Sequence, residues 1–85
     1  MGKYKLKVKK SAEKELVKIP KRELIKIINK IQSLSDDPHP EGSIKLSNQE
    51  KYRLRVGNYR VLYKVEDNIL TIFIVKVGHR KDIYS

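Results

Sequence analysis

The stretch Tyr52–Tyr63 constrains this chain more than any other. Apolar and basic residues alternate along it around Gly57-Asn58, and a period-2 pattern interrupted by a two-residue connection led by glycine closes a β-hairpin. Tyr52, Leu54, Val56, Tyr59, Val61 and Tyr63 fall on one face, and Arg53, Arg55 and Arg60 on the other. A two-residue loop pairs Val56 with Tyr59, which sets Arg55 directly opposite Arg60, with Arg53 two residues along. Like charges directly opposite each other destabilise a sheet, so a sequence chosen for stability alone avoids this pairing. The arrangement points to a positive pocket for an anion.

The rest of the composition agrees. A net charge of +10 on 85 residues favours a polyanionic partner such as nucleic acid or the ribosome surface over a merely solubilising lysine coat. The lysines are spread along the chain, whereas the arginines other than Arg22 lie between Arg53 and Arg80. Arginine suits forked phosphate contacts and lysine diffuse attraction. The absence of cysteine excludes disulfides and thiolate metal sites. No stretch reaches the length of a signal-peptide core or a membrane span, so the expectation is a cytoplasmic protein with no membrane contact, forming a single domain over residues 1–85.

Around the hairpin the pattern predicts an α+β domain. Lys3 to Lys9 alternates strictly, with Tyr4, Leu6 and Val8 on one side, as a strand with one buried face does. Its lysine row is an edge guard against aggregation or a surface that tracks RNA. Ser11 is a plausible N-cap for a short helix ended by Pro20, with Glu13 and Glu15 in its first turn. A second helix starts near Lys21, its core stripe formed by Leu24, Ile27, Ile28, Ile31 and Leu34. Residues 36–43 read as loop, and His39, between two prolines, has no ligand set around it. Ile44-Lys45-Leu46 is a short extended piece.

After a turn at Glu66-Asp67-Asn68 comes the most β-prone run, Ile69 to Val77. Unbroken alternation puts Leu70, Ile72 and Ile74 on the core face and Thr71, Phe73, Val75 and Val77 on the arginine face. That second face is a partly apolar floor beside positive charge, suited to a base next to its phosphate or to a protein segment such as an antitoxin.

Tyr52 to Tyr63, followed by Val77-Gly78-His79-Arg80 and Ile83-Tyr84, resembles the RelE toxins of the RelE/ParE superfamily, and the likeness covers nearly the whole chain. It implies the RelE-like fold, two N-terminal helices packed on an antiparallel-rich twisted sheet. It also implies a metal-independent endoribonuclease, needing no cofactor, that cuts messenger RNA in the ribosomal A site beside 16S rRNA and is neutralised by a cognate antitoxin. By that likeness Arg60 is a phosphate-binding arginine, Arg80 a second essential arginine, and Tyr84 a residue that stacks on a base or helps activate the 2′-hydroxyl. Arg53 and Arg55 stand where some members carry lysines that orient or deprotonate the nucleophile. Arginine is a poor proton acceptor, so His79 is the expected general acid or base. Lys51 and Lys81, beside these motifs, join Arg53 and Arg55 as expected RNA contacts. The rivals are a ParE-like toxin that binds DNA gyrase and a non-catalytic RNA- or ribosome-binding relative.

Overall fold

A computed structural model describes residues 3–46 and 51–82. Its elements are β1 (Lys5–Val8), α1 (Lys10–Leu16), α2 (Lys21–Ser33), β2 (Ser43–Lys45), β3 (Lys51–Val56), β4 (Tyr59–Glu66) and β5 (Thr71–His79). The β3–β4 hairpin has the register its loop dictates, with Val56 opposite Tyr59 and Arg55 opposite Arg60. Gly57 makes this possible by taking φ 59°, the left-handed backbone that a glycine-first hairpin turn needs.

The five strands lie in the order β1-β5-β4-β3-β2. All neighbours are antiparallel except β1, which runs parallel to β5 with Lys7 beside Phe73. Pro20 forces the two helices apart, and both pack on one face of the sheet. Ala12, Leu16, Ile27, Ile31 and Leu34 meet Leu54, Val61, Tyr63, Ile72 and Ile74 in the core. The predicted α+β class and the α2 stripe are therefore observed, although Leu24 and Ile28 are only half buried. Among the described residues no helix is long and apolar enough to cross a membrane.

Several local expectations are corrected. Helix α1 starts at Lys10 with Lys9 as its N-cap and no side-chain capping bond, so Ser11 is not the cap. The Glu15 carboxylate instead accepts a hydrogen bond from the Val77 N–H at 3.1 Å. Its reach has a backbone cause: the Lys9 N–H bond to the Ile74 carbonyl is the last rung between β1 and β5, and past it no strand among the described residues flanks β5 on that side.

The alternation in β5 is also broken. Leu62 faces Lys76 but Tyr63 faces Ile74, leaving Val75 as an extra residue. This β-bulge moves Val77 into the core, where it is 1% exposed, and turns Lys76 to the arginine side. Leu70 does not join the core either. It ends a 3₁₀ turn over Asp67–Ile69 at φ 47° and is exposed.

Tyr63 is fully buried, and its hydroxyl donates to the Pro38 carbonyl at 2.7 Å. Tyr52 stacks on it at 5.5 Å, and His39 packs on Tyr52 at 4.6 Å. This aromatic column holds the proline-rich loop against the sheet, and burial pushes the Tyr63 phenol up to about 12.

Candidate functional site

With both helices on one side, no element among the described residues covers the other face of the sheet. Register decides what it carries, because residues directly opposite one another share a face. At the hairpin end Arg55 faces Arg60, and Arg60 in turn faces Gly78, which offers no side chain to obstruct it. One step along, Ile44, Arg53, Leu62 and Lys76 cross the sheet, and beyond them Lys51, Lys64, Phe73 and Lys7. Among the described strand residues the acid on this face is Glu66, bound to Lys64 at 2.8 Å. The face therefore carries a dense positive field over a floor of Leu62, Phe73 and Val75, all half buried.

Arg60 is half buried, and its guanidinium folds back on the turn, donating to the Tyr59 carbonyl at 3.1 Å and the Gly57 carbonyl at 3.5 Å. Neither acceptor is charged, so its cationic charge is not neutralised by these bonds. Arg80, exposed just past β5, is tied to the same turn by its backbone N–H, which bonds the Asn58 carbonyl at 2.8 Å. Arg55, Arg60 and Arg80 thus come together at one end of the sheet, with Arg53 one row in. On the helix side of this end, Arg55 also borders a groove of about 570 Å³ shared with Lys26 and Lys30 of α2.

Of the other expected site residues, His79 and Lys51 are not part of that cluster. His79 sits opposite Tyr59, on the side of the sheet that faces the helices, with the two rings edge to face at 5.5 Å. It lines a cavity with Glu15, Lys18 and Asp82. Its Nδ1 accepts the Lys81 N–H at 3.2 Å, which shapes the turn after β5. The cause is the bulge at Val75, which reverses the parity of everything after it. Lys51 shares the open face but lies four residues from Arg55, at the far end of β3. Tyr84 lies outside the described residues.

Sequence reasoning missed Lys64 and Lys76 as contributors to this face. The opposition of Lys51 and Lys64 was implicit in the hairpin register and could have been read from it. The approach of Lys9 to Val75 depends on the parallel β1–β5 pairing, for which the sequence holds no local signal.

The model of a family described as the ParE toxin of type II toxin–antitoxin systems, parDE, matches residues 6–84. The chain is 33% identical over 76 residues to Toxin RelG of Mycobacterium tuberculosis, covering 87% of each. It is 31% identical over 86 residues to a putative RelE-like toxin protein of Escherichia coli, covering 96% of this chain and 90% of that one. Its fold is similar to that of the archaeal RelE–RelB complex from Pyrococcus horikoshii OT3, with a TM-score of 0.81 at 27% identity over 94% of this chain and 98% of that chain.

Proposed function

This chain belongs to the ParE toxin family of type II toxin–antitoxin systems as a RelE-type member of the RelE/ParE superfamily, and from that premise we propose that it cuts messenger RNA in the ribosomal A site. The observation that carries the reading is the pairing of Arg55 with Arg60 on the uncovered face of the sheet, with Arg80 tethered to the same hairpin turn. In the proposed reaction the 2′-hydroxyl attacks the adjacent phosphorus. The phosphorus–5′-oxygen bond breaks, leaving a 2′,3′-cyclic phosphate and a free 5′-hydroxyl. Negative charge builds on the phosphoryl oxygens in between, and preorganised guanidinium groups stabilise that charge most when water is excluded.

In this reading Arg60 and Arg80 hold the phosphate, Arg53 and Arg55 orient the nucleotide, and Lys51 and Lys81 contact the RNA backbone. Tyr84 stacks on a base or helps activate the 2′-hydroxyl. His79 faces the helices, so proton transfer at the phosphate falls to other groups. The RelE of Pyrococcus horikoshii was solved with RelB, which supports a cognate antitoxin for this chain; in this reading the antitoxin covers the basic face, and the pair acts in the cytoplasm.

The test is reconstituted translation with purified protein and primer extension on the message, with and without ribosomes. Cuts confined to ribosome-bound message at fixed codon positions are expected. Intact message with normal protein synthesis would sink the reading. A gyrase-directed toxin is the second reading, favoured by the family model's ParE description and by the turning of His79 away from the arginines. Arg60→Ala separates the two, since it abolishes cleavage under the first and leaves RNA untouched under the second.

A further inference from the structure

On the open face, away from the Arg55–Arg60 end, Lys9, Lys51, Lys64, Glu66, Phe73 and Val75 enclose a pocket of about 320 Å³. Its floor is the half-buried ring of Phe73 with Val75 beside it. Phe73 has Lys7 on one flank and Lys64 on the other, and Lys64 is itself opposite Lys51. This is a second like-charge cross-strand pair on the same face, and it costs stability as the first does. Glu66 neutralises Lys64, which leaves Lys9 and Lys51 to define the sign of the rim. Arg60 and Lys64 are four residues apart on β4, about 13 Å at strand spacing. An apolar aromatic floor ringed by cations matches a nucleobase flanked by its phosphates, because every base has a π-face and every linkage a negative charge.

We propose that this pocket is a nucleobase subsite for single-stranded RNA: one base lies on Phe73, and its flanking phosphates are held by Lys9 and Lys51. It fixes the path of the strand across the sheet, away from the phosphate that is cut. The inference rests on the reading that the open face binds RNA. An acidic peptide would satisfy the lysines but leaves the half-buried ring without a planar partner, and the continuity of this face with the arginine end favours one polyanion spanning both.

The test is fluorescence anisotropy of the full chain with an end-labelled RNA hexamer, and with hexamers carrying an abasic residue at each position in turn. Abasic substitution at one position is expected to weaken binding about tenfold, as loss of one base–aromatic stack does. Phe73→Leu, which keeps apolar volume without the ring, is expected to cost the same about tenfold and to erase the difference between the intact and abasic hexamers. Phe73→Tyr retains the ring and restores both. Lys51→Ala is expected to lower the salt slope by about one. If Arg60→Ala weakens every hexamer while Phe73→Leu and the abasic series change nothing, the subsite is overturned and the RNA face stands. If neither substitution matters, both fall. If Phe73→Leu spares RNA but weakens the complex with purified antitoxin, the pocket docks protein and the proposal fails.

Discussion

Arg55→Gln should make this protein more stable and less active at once. Arg55 and Arg60 are directly opposite in the β3–β4 ladder, and such pairs hold their Cβ atoms about 5 Å apart. Charges at the ends of these side chains, about 7 Å apart in nearly aqueous surroundings, repel by about 0.6 kcal/mol. That sits inside the range of about 0.2–1 kcal/mol found for cross-strand pairs. For a domain of this size, 1 kcal/mol moves the melting temperature by about 4–8 °C, so a rise of about 2–5 °C is expected in low salt. In 1 M salt, where screening acts within about 3 Å, the gain should vanish. Arg55→Lys, which keeps the charge, should melt like the parent chain. RNA cleavage by Arg55→Gln should fall by about 10²-fold, the scale of loss when a substrate is misplaced by about 1 Å. The assay is thermal unfolding by circular dichroism at both salt concentrations, paired with primer extension. A variant that is no more stable in low salt, or that gains equally in high salt, refutes the electrostatic argument. One that gains stability yet still cleaves refutes the functional one.

Three further outcomes follow from the packing. Glu15→Ala leaves the buried Val77 N–H without its acceptor and should cost about 1–3 kcal/mol, with hydrogen exchange at Val77 accelerating. Glu15→Gln, which keeps an acceptor oxygen, should lose far less. Leu70→Gly relieves a left-handed backbone at an exposed position and should raise stability by about 1 kcal/mol in urea titration; a loss would mean that the Leu70 side chain contributes more than its backbone costs. Tyr63 holds its proton more tightly folded, its phenol raised from 10 to about 12 by burial. That stability is present in full below pH 10, is lost as pH rises through about 12, and amounts to about 3 kcal/mol. Tyr63→Phe should flatten the alkaline limb of the stability profile, at the expense of about 1 kcal/mol at neutral pH from the lost bond to Pro38.

The hairpin was legible in the sequence because its evidence is local: period-2 alternation and a Gly57-Asn58 turn dictate the register, and the register dictates that Arg55 faces Arg60. Helix α2 was legible for the same reason, through the spacing of Ile27, Ile31 and Leu34 and the break at Pro20. The misread parts depend on partners distant in the chain. Nothing near Val75 in the sequence announces that β4 will skip a residue there, yet that skip sends Val77 inward, Lys76 outward and His79 to the helix side. Ser11 looked like a cap because cap propensity is a local quantity. The parallel docking of β1 on β5 and the reach of Glu15 to Val77 settled where α1 begins.

The insertion of β5 between β1 and β4 has a temporal consequence. A ribosome delivers Lys5–Val8 early, but the neighbour this strand needs, Thr71–His79, is made more than sixty residues later, as the pairing of Lys5 with Thr71 shows. Pairing β1 with β5 closes a loop of that length and costs more chain entropy than the tight turns of the meander do, so β3, β4 and β5 pair first and the N-terminal strand docks onto the finished meander. Until it docks, Lys7 and Lys9 do not border Phe73, and Leu6 and Val8 have nothing to cover. A growing chain of this design cannot carry its complete basic face while it is still being synthesised, and the cell gains an interval in which an inhibitor can be waiting.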